Sequence, residues 1–242
     1  MSVYSKEYRI AFSDSTMHRT LRASSLLRMM TETAAEHCNQ LGVGETFTLD
    51  RGLVWVIVEN HVKISRMPLL GEKITVQSWT GKMEIVLYPR YYRILDASGM
   101  EIITASTQWS LMDSNTRHFA FPSRTGVFVP METAAGRLPP PEPIRRISTT
   151  HKMEITVPYC FVDANGHLSN MHYLDIAEDV LPETAEGRAL KEINIVYSCE
   201  IPAGKTFTLS WKCEGNRRFF SGDAERHLFC MNLDYEDDAS EQ

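Results

Sequence analysis

Asp163-Ala-Asn-Gly-His-Leu-Ser-Asn-Met-His-Tyr-Leu174 sets a carboxylate, an amide and an imidazole within five positions and then runs into an amphipathic segment. Ser169 and Asn170 are both residue types that favour a helix N-cap. Beyond them, apolar side chains fall at Tyr173, Leu174, Ala177, Val180 and Leu181. That is helical spacing, with Asp175, Glu178 and Asp179 on the other side and Pro182 as a stop signal. The pattern predicts a helix over 170–181, with a turn bearing Asp163, Asn165 and His167 just ahead of its N-terminus. Free backbone N–H groups and the positive end of the helix dipole point to such a place, which suits a carbonyl oxygen that turns negative during a reaction. Asp, Asn and Gly are also ordinary turn formers, so the stretch taken alone is first of all a loop and a cap.

Working outward, the turn is the second of its kind. A strand-like segment at 3–12 leads into a polar turn at 13–22. A helical pattern follows from about 24 to 40, with Leu26, Leu27, Met30, Ala34, Cys38 and Leu41 near one face and Gly42 at its end. Segments 53–65, 72–80, 84–95 and 101–112 are rich in Val, Ile, Thr, Tyr and Trp, and turn chemistry breaks them at Pro68–Gly71, Gly81-Lys82 and Asp96–Gly99. Their closeness in sequence predicts antiparallel pairing. After a proline-rich stretch the order restarts, with a strand near 152–158, the polar turn, the helix, and strands near 191–199, 205–213 and 226–235.

In this register Asp14-x-Thr16-x-His18 lies over Asp163-x-Asn165-x-His167, and the Pro68–Gly71 turn over Pro202–Gly204. The expected fold is α+β, with two tandem units, each an antiparallel sheet wrapped around a helix. The units span 1–135 and 148–242, joined by a linker over 136–147, and 236–242 forms an acidic tail. The second unit has Asn165 where the first has Thr16, and Glu200 where the first has Met67. Chemistry is therefore expected in the second unit, and a supporting or substrate-holding role in the first.

Composition narrows the classes. With 43% hydrophobic residues and a formal net charge of -6, the 242-residue chain suits a packed core and argues against a nucleic-acid partner. Arg145-Arg146 and Arg217-Arg218 are local basic spots. The five cysteines, Cys38, Cys160, Cys199, Cys213 and Cys230, contain no Cys-x-x-Cys pair. That argues against a disulfide framework or structural zinc and fits a reducing compartment. No apolar run is long enough to span a bilayer, and Met1–Tyr8 has neither a signal-peptide h-region nor Arg-rich transit character. The expectation is a cytoplasmic protein with no metal, no cofactor and no membrane partner.

On these residues the chain resembles the acyl-ACP thioesterases of fatty-acid synthesis. Residues 163–173 resemble their Asp-x-Asn-x-His-x-x-Asn-x-x-Tyr signature, and Tyr197-Ser-Cys-Glu200 resembles their Tyr-x-x-Glu strand. Leu53-Val-Trp-Val-Ile-Val58, Met67-Pro-Leu-Leu-Gly-Glu72, Trp79 and Ala105-Ser-Thr-Gln-Trp-Ser-Leu-Met112 extend the likeness to the first half, from about residue 5 to 235. The resemblance implies a double hotdog fold and hydrolysis of the thioester between a fatty acyl chain and acyl carrier protein. It implies catalysis by Asp163, Asn165, His167 and Glu200 of the second hotdog, with the first shaping the acyl pocket. Plant members carry a transit peptide, so this chain looks bacterial.

Plant members often place a cysteine directly after the glutamate, where this chain has Ile201. Cys199 precedes Glu200 and, on a strand, faces the opposite way. Direct attack by water is therefore expected. Glu200 would act as general base and His167 would assist proton transfer or polarise the carbonyl. Asn165, with backbone N–H groups, would orient the thioester, and Asp163 would fix the turn and the imidazole. The alternatives are an acyl-CoA thioesterase and a non-catalytic acyl-binding hotdog protein. A hotdog hydratase fits poorly, since Asp and His there lie farther apart and no strand glutamate follows. Arg145, Arg146, Arg217 and Arg218 are the candidates to meet an acidic carrier protein. A homodimer is compatible with the sequence, although a double hotdog already contains the pairing that single hotdogs gain by dimerising.

Overall fold

The computed structural model describes residues 3–132, 144, 149–183 and 187–236. The expected linker over 136–147, apart from Ile144, lies outside the described residues, as do Arg145, Arg146 and residues 237–242 of the acidic tail. The first half runs β1 (Tyr4–Arg9), α1 (Ala23–Gln40), α2 (Glu45–Leu49), β2 (Leu53–Ile64), β3 (Lys73–Thr80), β4 (Leu87–Leu95), β5 (Glu101–Asp113) and α3 (Pro122–Thr125). The second runs β6 (His151–Thr156), α4 (His172–Val180), β7 (Leu190–Tyr197), β8 (Thr206–Glu214), β9 (Arg217–Asp223) and β10 (His227–Tyr235).

All strands pair antiparallel in one ten-stranded sheet of order β1-β3-β4-β5-β2-β7-β10-β9-β8-β6. The order is a palindrome, in which β6, β7, β8, β9 and β10 repeat β1, β2, β3, β4 and β5. The seam is β2 against β7, where His61 faces Asn194, with Asn60 opposite Ile195 and Val62 opposite Ile193. His61 Nε2 meets Glu192 Oε1 across it at 2.6 Å. The duplication expected from the sequence is thus present as two halves of a continuous sheet.

Burial follows the helical and strand periodicities. Leu26, Leu27, Met29, Met30 and Ala34 of α1 join Val62, Ile64, Ile74, Val76 and Ile94 in a core that continues into the second half through Leu174, Ile193, Ile195, Phe207 and Phe229. A smaller cluster of Val43, Leu53, Tyr88, Leu111 and Val127 forms beyond the end of α1, with Trp55 and Trp109 packed against it. Trp55 meets Tyr88 and Trp109 edge-on at 5.0 and 6.5 Å. Cys38 and Leu41, expected on the face of the first helix, pack here. Beneath the last turn of α1 the guanidinium of Arg90, only 4% exposed, donates to His37 Nδ1, Ser78 Oγ and Cys38 Sγ. Burial and then the Arg90 charge push His37 down to about 4, so it stays neutral.

Three expectations change. The second helix is nine residues long, not the predicted 170–181, and Met171 caps it with no side-chain hydrogen bond. Leu181 before Pro182 is already extended, as the residue ahead of a proline prefers to be. The stretch between 214 and 226 holds a full strand, β9, whose Gly222 and paired arginines had disguised it. Glu200 lies past the end of β7 rather than on a strand, so strand alternation does not decide which way Cys199 points. The amides of Ser198 and Cys199 both donate to Leu228 O, and Cys199 packs against the core.

On β2, a bulge at Val58 sets Ile57 opposite Trp109 and Glu59 opposite Gln108. Burial alone raises Glu59 to about 7, and the carboxyl has no ionic or hydrogen-bonding partner among the described residues. The folded state therefore holds a proton that the unfolded chain releases from about pH 4.5 upward. This contribution to stability is complete at low pH and is lost as pH rises towards 7. Glu59→Gln is expected to stabilise the protein by about 1–2 kcal/mol at pH 8 and to change little at pH 4. Urea unfolding at the two pH values measures it, and equal effects at both would contradict the assignment.

Candidate active site

The second-half turn is built by its own backbone. Asp163 N donates to His167 O at 3.0 Å, Gly166 N to Asp163 O at 3.0 Å, and Asn165 N to Asp163 Oδ1 at 2.8 Å. Gly166 takes φ +81°, a conformation that favours glycine. The turn is pinned to the segment after β7 by Leu168 N, which donates to Ile201 O at 2.8 Å, and by a bridge between His167 and Pro202. That pinning brings residue 167 beside residue 200. His167 Nδ1 lies 3.6 Å from Glu200 Oε1, with the two side chains 23% and 28% exposed. The gap exceeds a direct hydrogen bond, and Nδ1 is buried without a partner.

A third group completes the cluster, and the sequence reading did not anticipate it. Arg117, on the turn after β5 of the first half, holds Glu200 with both arms of its guanidinium. Its Nε donates to Oε2 at 3.0 Å, and its other nitrogen contacts Oε1. Burial, then the Arg117 charge, lowers the pKa of His167 against a smaller opposing pull from Asp163. The imidazole is therefore held neutral, with a free lone pair to receive a proton.

Asp163 Oδ1 accepts from Asn165 N within the turn. Asn165 is exposed and contributes its backbone N–H to that turn. A different amide is buried: Asn170 Nδ2 has no partner, while Asn170 O accepts from Tyr197 Oη, which accepts in turn from Asn60 Nδ2 of β2. An unpaired buried donor of this kind calls for a functional explanation. His172, expected on the helix surface, stacks on Phe161 at 4.3 Å and contacts Asp175 at 2.6 Å. Among the described residues no group of three or more His, Cys, Asp or Glu side chains could hold a metal ion.

The first half does not reproduce this cluster, and its register differs from the expected one by two residues. Thr16 N donates to Thr20 O as Asp163 N does to His167 O; Arg19 N donates to Thr16 O as Gly166 N does to Asp163 O; Leu21 N donates to Pro68 O as Leu168 N does to Ile201 O. Thr16, His18, Thr20 and Met67 therefore stand where Asp163, Asn165, His167 and Glu200 stand. Asp14 and His18 are not the counterparts of Asp163 and His167, and Asp14 instead binds Arg28 of α1 at 2.7 Å. A cleft of about 1470 Å³ opens at this counterpart position, lined by Thr16, His18, Thr20, Met67 and α4 residues such as Leu174 and Asp179. It is lined by none of the four expected groups, Asp163, Asn165, His167 and Glu200.

The basic spot at Arg217-Arg218 is also different from expectation. Arg218 is 6% exposed and donates to Glu183 at 2.5 Å, and Arg217 grips Asp234 with two contacts of 2.5 Å. These charges hold the second half together rather than presenting a free basic face.

Two family models match this chain. The family model "Acyl-ACP thioesterase N-terminal domain" matches residues 1–121, and "Acyl-ACP thioesterase C-terminal domain" matches residues 144–236. The chain belongs to the acyl-ACP thioesterase family. It is similar to the chloroplastic palmitoyl-acyl carrier protein thioesterase of Cuphea hookeriana, 25% identical over 216 residues, covering 82% of this chain and 52% of that protein. It is also similar to the chloroplastic dodecanoyl-[acyl-carrier-protein] hydrolase of Cinnamomum camphora, 25% identical over 238 residues, covering 88% and 59%. The chain thus spans about half the length of the curated relatives it matches. An acyl-ACP thioesterase structure from Bacteroides thetaiotaomicron superposes with a TM-score of 0.81 at 20% identity, covering 97% of this chain and 98% of that one. The 12:0-ACP thioesterase of Umbellularia californica superposes with a TM-score of 0.80 at 15% identity, covering 97% and 94%. The family fold is the double hotdog that the palindromic sheet displays.

Proposed function

We propose that this chain hydrolyses the thioester of fatty acyl-acyl carrier protein and releases the free fatty acid. The observation that carries the reading is the meeting of His167 and Glu200 at 3.6 Å, in a chain of the acyl-ACP thioesterase family. A water held beside the pair would attack the carbonyl carbon. Glu200 or the neutral His167 takes its proton, the carbonyl oxygen becomes an oxyanion, and the C–S bond breaks as the carrier thiolate is protonated. The two groups lie close enough to share one proton. Asp163 shapes the turn, and Asn165 lies at its exposed rim. Asn170 Nδ2 is the buried donor suited to the carbonyl oxygen.

In this reading residues 148–242 form the catalytic hotdog and 1–135 hold the acyl chain. The apolar cluster of Leu53, Tyr88, Leu111, Trp55 and Trp109 supports that role, because it packs at the ends of β2 and β5 from which the Arg117 turn departs. The free state of the five cysteines fits a cytoplasmic setting.

Hydrolysis of acyl-ACP and acyl-CoA panels of graded chain length tests the reading. Fatty acid is expected from acyl-ACP, with kcat/KM at least about tenfold above that for the matching acyl-CoA, a difference of roughly 1.4 kcal/mol. Absence of hydrolysis on both panels would leave the acyl-binding alternative. The engagement of Arg217 and Arg218 in ion pairs removes two charges expected to meet an acidic carrier. That observation keeps acyl-CoA as the second reading, and a preference for acyl-CoA would establish it.

A further inference from the structure

We propose that Arg117 is a positioning residue of the reaction, delivered by the first hotdog to the second: its guanidinium fixes the Glu200 carboxylate against His167, so that the catalytic centre is complete only when the two halves are docked. The inference rests on the thioesterase reading for its catalytic part and on geometry alone for its structural part.

Three observations carry it. The contact is bidentate, with Nε on Oε2 and the terminal nitrogen on Oε1, the arrangement in which a guanidinium dictates the plane of a carboxylate. The partners are 83 residues apart and belong to opposite halves. Arg117 also holds φ +57°, the left-handed region where glycine would be favoured. The turn is fully determined without its side chain. Asp113 Oδ1 accepts from the amides of Asn115 and Thr116, Arg117 N donates to Asp113 O, and Asp113 N donates to His118 O. An arginine where the backbone favours glycine points to a task for the side chain.

The carboxylate keeps a lone pair on each oxygen beyond those that Arg117 uses, so a water can still be held there. Three charged groups face His167: Arg117 from the β5 turn, Glu200 from the segment after β7, and Asp163 from its own turn. Removing Arg117 withdraws the cation and frees the anion beside the imidazole. Both changes favour the protonated ring.

The test combines an NMR titration of His167 with steady-state kinetics on acyl-ACP, for the wild type, Arg117→Gln and Arg117→Lys. For Arg117→Gln, the His167 midpoint is expected to rise by about half a unit or more. The acidic limb of the kcat–pH profile should move up with it. The value of kcat should fall by about ten- to a hundredfold from loss of alignment, with KM within about threefold of the wild type. Arg117→Lys keeps the charge without the fork, so it should restore the midpoint and recover only part of kcat. An unmoved midpoint, or wild-type kcat in Arg117→Gln, overturns the proposal. If Arg117→Gln does not fold, Arg117→Lys decides: reduced kcat at wild-type KM supports the role, and wild-type kcat overturns it. Glu200→Gln and His167→Ala run alongside. Wild-type turnover in both, with the midpoint shift still present in Arg117→Gln, would discard the thioesterase mechanism while leaving the inter-half contact standing.

Discussion

Glu200→Gln is expected to lower kcat on acyl-ACP by about two to four orders of magnitude, and His167→Ala by a similar factor, because each removes a group able to take the proton of the attacking water. Glutamine preserves the shape of residue 200 but abolishes both its basicity and its charge-assisted hold on Arg117. Since Nδ1 of His167 lies 3.6 Å from Oε1, the two residues act on one water, and the double variant should be little worse than the weaker single one. Neither variant should unfold the protein, because both side chains are roughly a quarter exposed and the surrounding turn is held by backbone bonds. Thermal unfolding beside initial rates separates the two effects. Turnover within about threefold of the wild type in both variants would remove the mechanism.

The largest expected effect on stability lies elsewhere, at Gly222 on β9. Its backbone is ordinary for a strand, and its role is spatial. A Cβ at this position would sit 2.1 Å from Cε1 and 2.5 Å from Cδ1 of Phe229. Phe229 is 1% exposed and packs edge-on against Tyr173 at 4.7 Å and Phe207 at 5.9 Å. The ring has no vacant space to enter, so Gly222→Val must displace it and the two aromatics it supports. The expected cost is at least about 3 kcal/mol, the upper part of the overpacking range. For a chain of this size that is a fall in Tm of about 6–12 °C. Phe229→Leu in the Gly222→Val background should recover part of the loss, since it shortens the clashing group. A Tm for Gly222→Val within about 2 °C of the wild type, by circular dichroism, would refute the packing argument.

What could be read from the sequence divides along local and long-range interactions. The long strands of the first half were legible because Val, Ile, Thr, Tyr and Trp crowd into segments separated by clear turns. The second-half turn was legible because its geometry is local: Asp163 caps the amide of Asn165, and Gly166 supplies the positive φ. β9 was hidden because Gly222 reads as a breaker, and only Phe229 on the neighbouring strand explains it. The helix start was misplaced for a similar reason. Ser169 has the chemistry of a cap, but its amide is taken by Phe161 O, and α4 begins at His172. The two-residue slip between the halves arose from matching Asp to Asp and His to His. Hydrogen bonds define the true register, and in it the shared residue types are coincidence. Arg117 carried no local signal at all, since an arginine in a polar turn is ordinarily a solvated charge.

The seam between β2 and β7 has a consequence for how this protein responds to dilution and to change. Where two separate hotdog chains pair, the union depends on concentration and every substitution strikes both partners. Here both sides of the seam belong to one polypeptide, so their effective concentration is fixed by the chain itself. The two loops can therefore differ, one carrying an acid and an imidazole where the other carries two threonines. Such lopsidedness is closed to a pair built from two identical chains.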